Sequence, residues 1–354
     1  MTEHGGDIYG FSARMGIPRN EVIDFSTSVN PLGTPRSVIV EIRQNLKNLI
    51  HYPDTNAHNL TKELARLCGI DPDSILCGNG CTELIYLVPQ AMHFRGVLIV
   101  QPTFRDYERA CRIAYPECFV ADYMVQSDQT FDIDPQILID RAVGSRIDAV
   151  ILCNPNNPTG RLLERDGLLA VAQALNTHGI YLVVDESFID FTNTQSITRA
   201  VSANSHLIVL RSMTKFYALA GLRLGFGIFP IPIAKKIREY KEPWSTNTLA
   251  QAAGIAALND KGYRDHTAKI MTRQKAFLEK GFRRLGIEFT PSAANYYLMS
   301  TPHARIFIEK LARKGIIIRD CSNFKGLDYR YLRVAVKSAR HNRFLLECLE
   351  GCIG

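Results

Sequence analysis

The sequence has no run of about 18 apolar residues and no charged-then-apolar leader, so nothing in it reads as a membrane span or a secretory signal. Its formal net charge is +7 and its isoelectric point about 8.9, yet it has no Lys/Arg block and no stripe of basic and aromatic residues. The positive excess therefore suits small anions rather than nucleic acid or a membrane surface. Its nine cysteines are scattered. The closest pairs, Cys77 with Cys81 and Cys348 with Cys352, have neither the spacing nor the histidines of a zinc site, so no metal is expected. Scattered cysteines and no leader fit a reducing cytoplasm. Internal repeats, low-complexity segments and flexible linkers are also missing. What the chain does have is bulk: 354 residues, 46% hydrophobic and only 22% charged, enough for a sizeable core and more than one domain.

Residues 1–35 are rich in Gly, Pro and Ser and too punctuated for a pair of core strands. They read as an arm laid over another part of the chain, with Ile23, Phe25, Val29 and Leu32 as its packing residues. Residues 35–49 and 60–68 have helical periodicity. Short apolar runs at 74–77, 96–100, 149–153, 181–184 and 206–210 then alternate with helical segments, the pattern of a parallel sheet covered on both faces. After about residue 235 come long helical stretches at 234–242 and 248–285, then short strands at 296–299, 316–319 and 331–336. The expected fold is α/β: an arm over 1–35, a large three-layer domain over 36–235 with a mostly parallel sheet, and a smaller α+β domain over 236–354.

Polar residues gather just after the strands: Asn79, Pro102-Thr-Phe-Arg-Asp-Tyr107, Asn154-Pro-Asn-Asn-Pro-Thr-Gly160, Asp185-Glu186 and Ser212 to Lys215. Ligands of open α/β sheets bind at the carboxyl ends of strands, so all five clusters can converge on one crevice. Ser212, Thr214, Lys215 and Arg223 together suit a phosphorylated aldehyde, with the amine condensing and the others holding phosphate. Gly78-Asn-Gly-Cys-Thr82 enters a helix N-terminus, a second phosphate site. Asp185 closes an apolar strand, where it is either a cap or ion-pair member or the partner of a protonated ring nitrogen. Asn157 can bond a ring hydroxyl, and Tyr107 can stack on a ring. Arg319 and Arg333 lie in apolar strands, as structural ion pairs or as grips for two anionic ends of a substrate.

Taken together, this order of motifs resembles the fold-type-I pyridoxal-phosphate enzymes over nearly the whole chain. The resemblance implies pyridoxal 5'-phosphate as cofactor, with Lys215 as the lysine that condenses with it. It implies Asp185 on the pyridine nitrogen, Asn157 on the ring hydroxyl and Tyr107 against the ring. The cofactor phosphate would lie among Gly80, Cys81, Thr82, Ser212, Thr214 and Arg223. Tyr52, in His51-Tyr-Pro-Asp54, resembles the tyrosine that reaches into a neighbouring subunit, which implies a homodimer with shared sites. Within these enzymes the chain looks closest to the histidinol-phosphate aminotransferase branch, and there to the L-threonine-O-3-phosphate decarboxylases of cobalamin biosynthesis. The stretches that carry this are His4-Gly-Gly, Asp24-Phe-Ser-Thr-Ser-Val-Asn-Pro-Leu-Gly33, Asp185-Glu-Ser-Phe-Ile-Asp-Phe191 and Gly315-Ile-Ile-Ile-Arg-Asp-Cys-Ser-Asn-Phe324. Phe188 stands where the aminotransferases usually have a tyrosine. Ser187 and Met213 depart from the usual alanine and leucine. The implied substrate is a phosphorylated amino acid, gripped by His4, Ser28, Asn30, Asn157, Arg319 and Arg333. The alternatives are a transaminase acting on histidinol phosphate, decarboxylation of serine phosphate, and a non-enzymatic regulator, against which the short Gly/Pro-rich arm argues.

Overall fold

The computed structural model describes residues 4–125 and 130–353. Thirteen strands occur among them: β1 (Ile23–Asp24), β2 (Ile75–Asn79), β3 (Gly96–Gln101), β4 (Phe119–Met124), β5 (Ala149–Cys153), β6 (Tyr181–Asp185), β7 (Leu207–Ser212), β8 (Leu224–Ile228), β9 (Glu288–Phe289), β10 (Tyr296–Ser300), β11 (Ile316–Ile317), β12 (Arg319–Asp320) and β13 (Tyr331–Ala335). Seven form one sheet in the order β2-β8-β7-β6-β5-β3-β4. It is parallel except at β8, which runs antiparallel to both its neighbours.

The central strands are buried along their length because each face has its own core. Val150, Leu152, Leu182, Val184, Leu207 and Val209 point into one cluster, while Ile151, Cys153, Val183, Ile208 and Leu210 point into the other. That two-residue alternation between two apolar layers makes these runs continuous in sequence.

The mostly parallel α/β expectation holds, with two strands added. β4 is an edge strand, largely half-buried or exposed, so it lacks a continuous apolar signal. β8 is Leu-Gly-Phe-Gly-Ile, and its glycines hide it. A Cβ on Gly225 would lie 2.3 Å from the backbone nitrogen of Cys81. Bare backbone in this strand is what lets β2 and the following helix come close.

A second, antiparallel sheet, β12-β13-β10-β9, packs with helices Lys261–Arg284, Ala304–Arg313 and Ala339–Ile353 around a separate core. The long helical stretch at 248–285 is two helices, Thr248–Asn259 and Lys261–Arg284. The break falls at Asp260, whose side chain caps the second helix by accepting from the Tyr263 N–H. The strand expected at 316–319 is also split: β11 pairs with β1 of the arm, and β12 pairs with β13.

The arm is tied down rather than loose, and it contains an unanticipated helix, Ile8–Met15, capped by Asp7. Phe25 is fully buried in the small-sheet core, whereas Leu32 stays 37% exposed and does little packing. Among the described residues, no helix is long and apolar enough to cross a membrane.

Candidate active site

The carboxyl ends of the parallel strands, the arm and the small sheet enclose a cleft of about 500 Å³. One wall is built from β6, β7 and the helix after β2. Lys215 follows β7, just beyond Ser212 and Thr214, whose hydroxyls lie 2.7 Å apart. Burial, with Arg333 and Arg223 nearby, pulls the Lys215 ammonium down to about 8. Asp185 ends β6. Its Oδ1 accepts from the Ser187 N–H at 2.8 Å and its Oδ2 from the Tyr107 hydroxyl at 2.7 Å. Burial raises the Asp185 carboxyl above its ordinary value, against those two donors and Lys215. A buried carboxylate held this way favours a cationic partner in the cleft.

Helix Cys81–Met92 points its N-terminus at the same wall, with Gly80 as N-cap at φ 77°. A Cβ on Gly80 would meet the Arg223 guanidinium at 2.5 Å. Glycine is required here so that Arg223 can lie over the end of the helix. Cys81, Thr82, Ser212, Thr214 and Arg223 all face the cleft. A helix N-terminus, three hydroxyls and one guanidinium form a cradle suited to a phosphate group.

The opposite wall carries Arg319 and Arg333, which stand directly across from each other on the antiparallel β12–β13 pair. Both are buried. Burial lowers the Arg319 guanidinium from its ordinary value, helped by the nearby charges of Arg333 and Arg105. Arg319 donates to Asn323 at 2.8 Å and lies over the Phe324 ring. Arg333 donates to the Asn157 side-chain oxygen and, at 2.7 Å, to the Ser26 carbonyl, and it lies over the Tyr296 ring. Like charges directly opposite on a ladder are destabilising, so two buried arginines in register favour an anion between or beside them. The Ser28 hydroxyl and the Arg333 Nε are buried without a partner among the described residues, and both residues line the cleft. His4 also lines it, with Nε2 3.9 Å from Asp106.

Most of the expected residues therefore line the cleft. Gly80 does not line it but caps the helix that does, and two others lie elsewhere. Asn30 is turned away from the cleft, and its amide nitrogen donates to the Phe216 carbonyl and the Thr267 hydroxyl, both at 2.8 Å. Its expected place on the substrate is corrected: both amide protons are used inside the protein, and the side-chain oxygen accepts from the Leu32 N–H. Tyr52 is 79% exposed and stacks on Trp244, so it does not enter the cleft of its own chain. Tyr107 lines the cleft, but its hydroxyl is committed to Asp185. Arg105, Phe104, Ser26, Thr27, Ser187 and Phe188 line it as well. Arg105 was missed because the cluster 102–107 marks a strand end without saying which of its side chains face inward.

Residues 20–349 match the family described as aminotransferase class I and II. The chain belongs to that family. It is 36% identical to the threonine-phosphate decarboxylase of Salmonella typhimurium over 99% of this chain and 97% of that protein. The crystal structure of L-threonine-O-3-phosphate decarboxylase from Porphyromonas gingivalis superposes with a TM-score of 0.81 at 30% identity, covering 92% of this chain and 98% of the other. A histidinol-phosphate aminotransferase from Sinorhizobium meliloti, solved in complex with pyridoxal-5'-phosphate, has the same fold, with a TM-score of 0.88 at 21% identity over 99% and 95% of the two chains. The fold-type-I expectation is thus met within this aminotransferase family.

Proposed function

We propose that this family member is a pyridoxal-phosphate-dependent decarboxylase of L-threonine O-3-phosphate. Its product would be (R)-1-amino-2-propanol O-2-phosphate, for the nucleotide loop of cobalamin. The observation that carries this is the register pair Arg319–Arg333, facing Lys215 and Asp185 across one cleft. A substrate with a carboxylate at one end and a phosphate at the other satisfies both arginines. The similarity to threonine-phosphate decarboxylases over nearly the whole chain supports the same substrate.

In this reading the cofactor supplies an electron sink. Lys215 would be the amine that binds it, and would hold or release a proton near neutrality. Asp185 would favour a protonated ring nitrogen, Asn157 would take the ring hydroxyl and Tyr107 would lie against the ring. Gly80, Cys81, Thr82, Ser212, Thr214 and Arg223 take its phosphate. Arg333 would take the substrate carboxylate and fix its orientation in the cleft. Arg319, His4 and Ser28 take the substrate phosphate. Phe188 brings no hydroxyl to the place where the aminotransferases usually have one.

The same reading includes a homodimer in the cytoplasm. Its support is the free state of all nine cysteines and a run of exposed apolar residues around Tyr52: Leu49, Ile50 and Trp244. It also keeps the division into an arm, a cofactor-binding unit over 36–235 and a smaller unit over 236–354, supported by the two separate sheets.

The test is a single turnover with L-threonine phosphate and no 2-oxo acid. Carbon dioxide should appear, with the cofactor recovered as pyridoxal phosphate. Conversion to pyridoxamine phosphate with a 2-oxo acid product would make the protein an aminotransferase instead. Running serine phosphate alongside measures how much the substrate methyl contributes.

A further inference from the structure

We propose that Asn30 is a positioning residue for Lys215, and that residues 25–34 act as a strap joining the lysine to the arginine wall. The inference rests on the reading of Lys215 as the lysine that condenses with the cofactor.

The chain leaves the sheet after Ser212, so the carbonyls of the turn that follows have no ladder partners; that of Lys215 has only a long 3.4 Å contact from the Ala218 N–H within the turn. The arm supplies partners. The Asn30 N–H donates to the Lys215 carbonyl at 3.0 Å. The Asn30 side-chain amide donates to the Phe216 carbonyl, and the Thr34 hydroxyl donates to the Ala218 carbonyl at 3.0 Å. From the far side, the single Tyr263 hydroxyl proton of helix Lys261–Arg284 is offered to the Gly33 carbonyl at 2.8 Å, with the Phe216 carbonyl 3.1 Å away. Asn30 itself is 2% exposed, and its Oδ1 is occupied by the Leu32 N–H.

The other end of the strap is equally fixed. The carbonyls of Phe25, Ser26, Thr27 and Ser28 accept, in turn, from the Ala335 N–H, Arg333, Lys337 and Asn295. A short stretch of arm therefore has Arg333 bonded at one end and the backbone of Lys215 at the other. A lysine side chain has four rotatable bonds, and what fixes its reach is the position of its root. An error of about 1 Å in such a position can cost about 10²-fold in rate.

Asn30→Asp keeps the size and the acceptor but removes the Nδ2 donor. Apo-protein is mixed with pyridoxal phosphate, quenched with borohydride at intervals, and the reduced adduct is located by mass spectrometry. The variant should form the Lys215 adduct about tenfold more slowly or worse. In a Lys215→Ala background, adding Asn30→Asp should change non-covalent pyridoxal-phosphate affinity by less than about twofold, because Asn30 acts only through the lysine. An unchanged adduct rate overturns the inference. So does an equal loss of affinity in the Lys215→Ala background, which a general scaffold role would produce. If Asn30→Asp does not fold, Thr267→Val releases the same amide from its other anchor while leaving the helix intact. It should slow the adduct in the same direction, and no slowing overturns the inference. If wild-type protein gives no adduct on Lys215, it is the assignment of the lysine that fails, not its link to Asn30.

Discussion

The two walls of the cleft are held in different ways. On the large-sheet wall, ladder geometry does the placing. Asp185 lies opposite Cys153, and Ser212 opposite Gly225, in strands paired on both sides. On the arginine wall, two like charges are held opposite each other on short strands, and a strap of arm bonds one of them, Arg333. The first wall needs no ligand to be satisfied except at the buried Asp185 carboxylate. The second sets two like charges in register and so favours an anion. Damage to the first wall should therefore destroy chemistry on any substrate. Damage to the second should discriminate between substrates.

Lys215→Ala should have the largest effect. In its proposed role Lys215 is both the condensing amine and the group placed to move a proton, and the proton role alone is worth roughly 10²–10⁴-fold. Turnover and the reducible adduct should both vanish, and ordinary activity in this variant would dissolve the contrast between the walls. Asp185→Asn comes next. A neutral amide no longer favours a protonated ring nitrogen, and losing such a preorganised charge costs on the order of 10²–10³-fold in kcat. Cofactor should still bind, as judged by its absorbance after gel filtration. Mixing Tyr52→Phe with Lys215→Ala protein asks whether the first wall is completed by a second copy. If it is, mixed dimers hold one intact site, and activity should rise above that of either parent once subunit exchange is shown.

The walls also differed in how legible they were in the sequence. β5, β6 and β7 announce themselves as apolar runs, and the polar residues at their ends follow from where such strands stop. Lys215, Asp185 and the helix at Cys81 could be placed together on that ground alone. The arginine wall draws on residues 4–30, 319 and 333, which no local pattern connects. Only the resemblance to known enzymes joined them. Asn30 shows the limit of that route, since a polar residue on the right segment faces the wrong way and bonds the backbone of Lys215 and Phe216. β8 shows another, because glycines demanded by close approach erase the apolar signal of a central strand.

Arg319→Ala should act on the second wall alone. Losing a charge-assisted contact to phosphate costs roughly 1.5–3 kcal/mol, or about 10–150-fold in kcat/KM for L-threonine phosphate. Free threonine, which makes no such contact, should be affected several times less, and cofactor retention hardly at all. Equal losses on both substrates would show that Arg319 supports the cofactor wall and that the two walls are not separable.

The smallest effect is a pH dependence, and it tests whether the cleft or mere burial makes Lys215 special. An amine condenses only when neutral. With Lys215 held at about 8, roughly one molecule in eleven is neutral at pH 7 and ten in eleven at pH 9, so adduct formation should rise about tenfold between them and then level off. Lys275 provides the control. Burial pulls it down to about 8 as well, against the pull of Glu279, but its ammonium donates to the Ser292 carbonyl and it does not line the cleft. Both lysines therefore deprotonate over the same pH range, and only one faces the phosphate cradle and Asp185. Borohydride trapping across pH 6–10, with the adduct mapped by mass spectrometry, should find Lys215 with a midpoint near 8 and Lys275 unmodified. Arg333→Gln removes one of the cations that lower Lys215, so it should move that midpoint upward. Comparable labelling of Lys275 would mean that a depressed amine is enough by itself. The two walls would then merely surround the chemistry rather than select it.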